Sequence, residues 1–285
     1  MYDKLLFLKE VSMTNPSIFH LLTQEYSLEL VTTKDDIESL KEIRRKTLLS
    51  AYQNLAEIED EESFLYNKDD EQAFIYLLKH HSTQNYVGTI RIYFVNEKTP
   101  IQQIPLQMYG HVEGIDHLVS EHPVCEVSRL ALASDLEPYP GLSALQLRTY
   151  LTMGLMSTVG TTMFLYHCHN IFSIMEPALY RILKRQGIYF EQIGPAVEYY
   201  GMRIPHMIKR ETLIKGSNET LGEITLFYLR KLCHSPESFK KFIEKHPYLE
   251  LSDLCLDNIC HIFRIHDEKV TVPFLMEQTR CVDTI

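Results

Sequence analysis

Strand-like and helix-like segments alternate through the middle of this chain, and this alternation limits its fold more than any other feature. Residues 26–31 alternate apolar and polar side chains, residues 86–94 are rich in β-branched and aromatic side chains, and residues 124–131 form a third strand-like run. A long helical pattern follows over residues 142–159. Such alternation predicts a mixed sheet with helices on both faces, so we expect an α/β or α+β fold in three layers.

Local signals predict further elements. Thr33 precedes a run of acidic residues with helical apolar spacing, which is typical of a residue that caps a helix. We also predict a helix over residues 70–79, a strand over 161–168, and a helix over 174–186 that ends at Gly187.

The two ends of the chain differ from its middle. Residues 26–216 contain the alternating pattern, and we predict that they form one domain. Residues 1–25 are interpreted as an N-terminal extension. Residues 217–285 are polar with helical spacing, so we expect a mainly helical C-terminal subdomain.

The formal net charge of −10 argues against non-specific nucleic-acid binding, which needs basic side chains to neutralise phosphates. An acidic partner would need a local basic patch, unless these charges are simply scattered and solvated. The candidate patches are Arg181, Lys184 and Arg185; Lys209, Arg210 and Lys215; and Arg230, Lys231, Lys240 and Lys241.

The six cysteines include no Cys-x-x-Cys pair, and the N-terminus lacks a basic segment followed by an apolar core. These features predict a reduced, cytoplasmic protein. The longest apolar-rich stretch, residues 151–166, is shorter than the roughly 20 residues that span a bilayer, so we expect no membrane span. His167 and His169, and Cys260 with His261, lack further zinc-like spacing, and we predict no metal site.

Four stretches together resemble one branch of a known superfamily. They are IRRKTL at residues 43–48 with the acidic loop at 67–73, VGTIR at 87–91, CEVSRLA at 125–131, and residues 175–205. Their order and spacing resemble the GNAT superfamily branch that holds the bacterial N-acyl amino acid synthases and the N-acyl homoserine lactone synthases. The last stretch is similar to N-acyl amino acid synthases and exosortase-associated acyltransferases.

The resemblance implies a GNAT-like fold with a splayed central sheet. It also implies transfer of a long-chain fatty acyl group from an acyl carrier protein thioester to the amine of an amino acid or similar small amine. The chain departs from the lactone synthases at Asn67, where they place an aspartate, and in having no tryptophan. A lactone-type signal synthase and a non-catalytic acyl-carrier or lipid-binding protein remain alternatives.

The resemblance places Glu126, Ser128 and Arg129 at the catalytic site. Direct attack by an amine needs a proton acceptor and an oxyanion donor but no serine or cysteine nucleophile. A β-bulge between Glu126 and Arg129 would expose a backbone amide to the thioester, and Glu126 would take the ammonium proton directly or through water. The alternative is that Glu126 and Arg129 form a structural ion pair.

A charged substrate-binding cluster of Arg44, Asp70 and Arg91 is also implied by the resemblance. Arg91 lies in an apolar strand, where an unpaired charge is costly, so it should have Asp70 or Glu126 as a partner. For Arg44 and Asp70 the alternative is a role as solvated charges at helix ends.

The donor is expected to be a phosphopantetheine thioester, with no tightly bound cofactor. Acetyl-CoA enzymes of the superfamily have a glycine-rich pyrophosphate loop, but here the corresponding stretch has only Gly141, and Pro138 and Pro140 remove amide donors. This difference favours an acyl carrier protein over coenzyme A, with product release at a membrane surface as a further expectation. The residues expected to form the acyl-chain pocket, unless they are ordinary core, are Met153, Met156, Met163, Phe164 and Phe172.

Overall fold

The computed structural model describes residues 18, 21–49, 60–95, 104–121, 123–166, 168–210, 212 and 213. Within them the strands are β1 (Tyr26–Leu30), β2 (Ala73–His80), β3 (Tyr86–Val95), β4 (Val124–Leu132), β5 (Asn170–Met175), β6 (Glu191–Gln192), β7 (Val197–Glu198) and β8 (Met202–Lys209). The α-helices are α1 (Lys34–Arg44), α2 (Glu61–Leu65), α3 (Pro105–Tyr109), α4 (Ile115–Glu121), α5 (Ala144–Tyr166) and α6 (Pro177–Arg185). The predicted subdomain at 217–285 and most of the predicted extension at 1–25 lie outside the described residues.

The strands form one sheet in the order β1-β2-β3-β4-β5-β8-β6, with β7 paired to β8. Neighbouring strands are antiparallel except β4 and β5, which run parallel. That parallel pairing joins Val124, Cys125 and Glu126 to β5 and then stops, although β4 continues to Leu132. The sheet is therefore mixed and splayed at its centre, as predicted.

Helices pack on both faces of this sheet, which confirms the three-layer prediction. Leu151 and Leu155 of α5 pack with Ile90 and Ile92 of β3 in the largest core cluster. On the opposite face, residues of α1 pack against β2 and β3 in a second cluster. Each of these leucine and isoleucine side chains stabilises the fold by roughly 1.5–3 kcal/mol through its burial.

The start of α1 confirms the predicted cap. The Thr33 hydroxyl accepts a hydrogen bond from the Asp36 backbone N–H at 3.2 Å, and the Asp36 carboxylate accepts one from the Thr33 N–H at 2.8 Å. This reciprocal arrangement uses two amides that would otherwise lack partners at the helix start. Gly187, predicted as the stop after α6, has a φ of 85° that suits glycine.

Two predicted elements are wrong. Residues 70–79 were expected to be helical, but Ala73–His80 is strand β2, which is almost entirely buried. A strand covered on both faces has a continuous apolar run without alternation, which single-sequence patterns do not separate from a helix. The strand predicted at 161–168 is also misplaced, because α5 extends to Tyr166 and β5 begins at Asn170. Among the described residues, no helix is long and apolar enough to cross a membrane.

Candidate active site

A cleft opens where β4 and β5 separate. It encloses about 800 Å³, counting the part open to solvent. The Ser173 hydroxyl donates a hydrogen bond to the Val127 carbonyl at 2.9 Å and so bridges the two strands where their ladder ends. The apolar wall includes Met156, Met175, Leu179, Leu183 and Phe190. The polar wall includes Arg91, Ser128, Arg129, Tyr199 and Arg203.

A β-bulge lies at Arg129 on β4. Arg91 pairs with Ser128 and Thr89 with Ala131, so β4 has one more residue than β3 between these two pairs. Arg129 has a φ of 52°, in the left-handed region that costs about 1–3 kcal/mol for a residue other than glycine. The bulge falls after Ser128, so Glu126 and Ser128 lie on one face of the strand.

The predicted substrate-binding residues Arg44, Asp70 and Arg91 are brought together in one buried cluster. Arg44 donates two hydrogen bonds to the Asp70 carboxylate, at 2.8 and 2.9 Å, and Arg91 donates a third at 3.2 Å. The Arg44 side chain has no exposed surface, so these two residues are not solvated helix-end charges. Burial alone would raise the pKa of Asp70, but the charges of Arg44 and Arg91 outweigh it and hold that pKa below its ordinary value.

Asn67, the position that departs from the lactone synthases, shapes the turn that presents Asp70. Its side-chain oxygen accepts hydrogen bonds from the backbone N–H groups of Asp69 and Asp70, at 3.1 and 3.2 Å. Its own backbone N–H donates to the Asp70 carboxylate at 3.1 Å. Asn67 therefore acts locally on the carboxylate that anchors both arginines.

Arg91 connects this cluster to β4. Its Nε donates a hydrogen bond to the Ser128 hydroxyl at 3.0 Å, and its guanidinium lies 4.6 Å from the centre of the Tyr93 ring. Ser128 and Arg91 both line the cleft. The cluster thereby contributes one charged group, Arg91, to the cleft wall.

Glu126 lies on the same face of β4 as Ser128 and is only 1% exposed. Its carboxylate accepts a hydrogen bond from the Leu106 backbone N–H at 3.0 Å. Burial raises the pKa of Glu126 to about 7, and the Leu106 amide and the positive charge of Arg91 only partly oppose this rise. Glu126 does not line the cleft itself and forms no ion pair with Arg129.

Arg129 lies on the cleft wall, held by α2 and by the bulge. Its Nη1 donates a hydrogen bond to the Phe64 carbonyl, and its guanidinium lies 5.1 Å from the centre of the Phe64 ring. Burial, followed by the nearby charges of Arg91 and Arg44, lowers the pKa of Arg129 to about 9. The guanidinium therefore remains positively charged near neutral pH.

The cleft residues that were not predicted as site residues from the sequence include Tyr199, Tyr200 and Arg203. Arg203 donates hydrogen bonds to the Tyr199 carbonyl at 2.8 Å and to the Glu176 carboxylate at 3.0 Å, and so holds the turn between β7 and β8. Tyr199 stacks on Tyr109 with ring centres 4.6 Å apart, and burial raises the pKa of Tyr199 to about 12. These residues lie in the 175–205 stretch that resembles N-acyl amino acid synthases, but no role was predicted for them from the sequence.

The residues expected to form an acyl pocket are not all in one place. Met156 lines the cleft. Met153 and Met163 are buried in the core cluster around α5, and Phe172 packs in a separate cluster on the opposite face. These three residues lie apart from the cleft. Phe172 does so because successive strand residues point to opposite faces, and the two methionines because α5 is buried on several sides. The side chain of Phe164 lies outside the described part of the structure.

At the start of α5, side chains of the same segment already bind the backbone amides. The Ser143 hydroxyl accepts a hydrogen bond from the Gln146 N–H at 3.3 Å, and the Gln146 side chain accepts one from the Ser143 N–H at 3.0 Å. Two amides at the helix start are therefore already satisfied by side chains of the chain itself. Within the described residues, no cluster of three or more His, Cys, Asp or Glu could hold a metal ion.

The splayed mixed sheet and the central cleft define the class of fold: the chain has a GNAT-like fold. FeeM, an N-acyl amino acid synthase from uncultured soil microbes, is similar over 67% of this chain and 94% of its own length, with 17% identity and a TM-score of 0.50. At this identity the similarity is one of fold.

Two other solved structures are also similar to the chain. The AHL synthase LasI has 14% identity and a TM-score of 0.43, over 66% of this chain and 92% of its own. An aminoglycoside acetyltransferase in complex with coenzyme A has 16% identity and a TM-score of 0.39, over 67% and 98%. No protein-family model matches the chain, and no curated protein matches it by sequence.

Proposed function

We propose that the protein is a cytoplasmic N-acyltransferase. It transfers a long-chain fatty acyl group from an acyl carrier protein thioester to the amine of an amino acid or similar small amine, by direct attack. The observation that carries this proposal is the cleft between β4 and β5, which has an apolar wall on one side and Arg91, Ser128 and Arg129 on the other. One wall suits a hydrocarbon chain, and the other suits a polar acceptor.

The reaction needs one proton acceptor and one stabilised oxyanion. The amine nitrogen attacks the thioester carbonyl carbon, the C–S bond breaks, and the carrier leaves as a thiolate that takes the second proton of the nitrogen as the amide forms. Glu126 takes the proton released by the ammonium group through an intervening water, because its carboxylate is buried behind the cleft wall. A pKa of about 7 suits this role, since the group can accept and release a proton near neutral pH.

Arg129 and Ser128 are the residues proposed to stabilise the charge that develops on the thioester oxygen. Arg129 supplies a cation on the cleft wall at the bulge of β4, and Ser128 fixes the orientation of Arg91 through a hydrogen bond of 3.0 Å. Arg44, Asp70 and Arg91 form the buried charged base of the acceptor side. The acyl chain would lie along Met156 and the apolar residues of α6.

A carrier protein is proposed as the donor because of the surface around α6 and the start of α5. Arg181, Lys184 and Arg185 are exposed on α6, the helix whose Leu179 and Leu183 line the apolar wall. A basic surface beside the cleft suits an acidic carrier. The amides at the start of α5 are used by its own cap, which leaves fewer donors for a pyrophosphate.

The test is a reconstituted reaction of the full chain with palmitoyl carrier protein or palmitoyl-coenzyme A, together with a mixture of the twenty amino acids. Mass spectrometry of the products identifies the acceptor and measures the preference for each donor. We expect an N-palmitoyl amino acid formed faster from the carrier protein. A lack of any acylated amine with either donor, and in lipid extracts of overproducing cells, would contradict the proposal.

A further inference from the structure

The cleft contains three guanidinium groups, and two of them have carboxylate partners. Arg91 pairs with Asp70 at 3.2 Å, and Arg203 pairs with Glu176 at 3.0 Å. Among the described residues, no carboxylate oxygen lies within 4.0 Å of a side-chain nitrogen of the third, Arg129. The third arginine therefore differs from its neighbours in bringing a charge into the cleft without a carboxylate in contact with it, although Asp70 acts on it from farther away.

Arg129 is nevertheless held in a defined position. The left-handed backbone at the bulge sets the direction of its side chain, the Phe64 carbonyl accepts a hydrogen bond from Nη1, and the Phe64 ring lies under the guanidinium. Neither Nε nor Nη2 has a hydrogen-bond partner among the described residues. A planar group with two unused donor positions on a cleft wall is already arranged to bind an anion with two oxygens.

The residues around Arg129 favour the binding of an anion at this position. Burial lowers the pKa of Arg129, and the positive charges of Arg91 and Arg44 lower it further although Asp70 opposes them. A negative charge in contact with Arg129 would therefore offset part of this repulsion. The aromatic rings of Phe64 and Tyr200, 5.6 Å apart, line the same cleft as Arg129. A charge-assisted pair in partly buried surroundings is stronger than one in water.

We propose that Arg129 binds a carboxylate of the amine acceptor, a role in acceptor selection separate from stabilising the thioester oxyanion. This proposal rests on the proposed function. It predicts that acceptors must carry both an amine and a carboxylate, and that an amine without the carboxylate is a poor substrate. Loss of one such charge-assisted contact should weaken binding roughly tenfold to a hundredfold.

The test measures binding rather than turnover, with two probes that differ in one group. N-Lauroylglycine carries the carboxylate, and N-lauroylglycinamide replaces it with a neutral amide of nearly the same shape. Titration calorimetry with the wild-type chain should show at least tenfold tighter binding of the carboxylate probe. Arg129→Gln should reduce that preference to within about twofold, and Arg129→Lys should retain part of it, since it keeps the charge without the planar fork.

Lys34→Gln is the matched control, because it removes an exposed positive charge at the start of α1, away from the cleft. Its preference for the carboxylate probe should equal that of the wild type. Equal binding of both probes by the wild-type chain would overturn the inference, and so would an unchanged preference in Arg129→Gln. If Arg129→Gln does not fold, Arg129→Lys decides the matter, because a preference unchanged from the wild type in that variant would assign the carboxylate to another cleft arginine.

The outcomes also separate this inference from the proposed function. A carboxylate preference that depends on Arg129, found in a protein that acylates no amine, would support the inference and contradict the acyltransferase proposal. Acylation of amino acids and of their amides with equal kcat/KM would support the acyltransferase and overturn the carboxylate site. A fall in kcat without a rise in KM in Arg129→Gln would limit Arg129 to stabilising the thioester oxyanion and would overturn the carboxylate site.

Discussion

Two buried carboxylates lie on the same face of the central sheet, and the protein treats them in opposite ways. Asp70 accepts hydrogen bonds from two guanidinium groups, whereas Glu126 accepts one from a backbone amide and has no ion pair. The pKa of Asp70 is held below its ordinary value, and the pKa of Glu126 is raised to about 7. Each is only 1% exposed, so the difference comes from charged partners rather than from depth.

This difference distinguishes a carboxylate that stays charged from one that can gain or lose a proton near neutral pH. Asp70 keeps its negative charge through the whole physiological pH range and fixes Arg44 and Arg91 in place. Glu126 can exchange a proton near neutral pH, which is the property that a general base needs. Arg91 stands between them, since it pairs with Asp70 and also lowers the pKa of Glu126 slightly. The comparison therefore predicts that the two carboxylates will respond differently to the same change.

Glu126→Gln should have the largest effect, and the effect should be on turnover. The amide keeps the shape and can accept the same hydrogen bond from the Leu106 N–H, but it cannot take a proton. We expect kcat to fall about 10²- to 10⁴-fold. Steady-state assays with the acceptor identified by mass spectrometry measure this fall, and Glu191→Gln, on exposed strand β6, is the matched control.

The wild-type rate should also depend on pH in one direction. If Glu126 acts as the base, kcat/KM should fall about tenfold for each pH unit below 7 and level off above it. The variant should lose this slope. An unchanged kcat in Glu126→Gln would show that Glu126 is not the base, and the two carboxylates would then not differ in their role in turnover.

Asp70→Asn should have its main effect on stability. The amide leaves Arg44 and Arg91 buried without a counter-charge, and breaking a buried pair in this way costs about 3–5 kcal/mol. Urea denaturation followed by circular dichroism measures the free energy of unfolding. The comparison fails if Asp70→Asn and Glu126→Gln lower that free energy by the same amount.

The pH dependence of stability should have opposite signs at the two positions. The pKa of Glu126 in the folded chain lies above its unfolded value near 4.3, so its contribution is favourable at low pH and is lost as the pH rises from about 4 to about 7. The lowered pKa of Asp70 makes its contribution present above about pH 4 and lost as the pH falls below it. Glu126→Gln should therefore equal the wild type near pH 4 and exceed it at pH 8 by roughly 1–3 kcal/mol.

Urea denaturation at pH 4, 6 and 8 tests these signs on the wild type and both variants. As the pH rises, the free energy of unfolding of Asp70→Asn should fall further below that of the wild type. Over the same pH range, the free energy of unfolding of Glu126→Gln should rise above that of the wild type. A Glu126→Gln variant that is less stable than the wild type at pH 8 would show that the folded chain stabilises the ionised form of Glu126, as it does for Asp70.

Local patterns predicted the elements that have distinctive residue types or end signals within a few positions. Strands β3 and β4, the Thr33 cap and the stop at Gly187 each depend on residues within a few positions of one another. Arg91 stood out because it is a charge inside an apolar strand. The sequence left Asp70 and Glu126 as candidate partners of Arg91. Only the fold shows that the partner is Asp70.

The remaining features depend on contacts between distant segments. Strand β8 returns beside β5 and brings Tyr199, Tyr200 and Arg203 to the cleft, but no spacing along the chain reports that pairing. Burial on both faces hid the strand character of β2. The same limit affected the acyl pocket, where methionines of α5 look alike in the sequence although only Met156 reaches the cleft wall.

Ser128→Ala should have the smallest effect and tests how firmly Arg91 must be held between the two carboxylates. Removing the hydroxyl leaves the Arg91 Nε without its acceptor at 3.0 Å, while the contact with Asp70 remains. We expect a loss of about 1 kcal/mol in unfolding free energy and less than a tenfold change in kcat, because Ser128 then only orients Arg91. Ser120→Ala, which removes an exposed hydroxyl on α4, is the control. A fall in kcat above a hundredfold would instead mean that Ser128 contacts the reacting atoms, and the polar wall would then have a chemical role beyond Glu126.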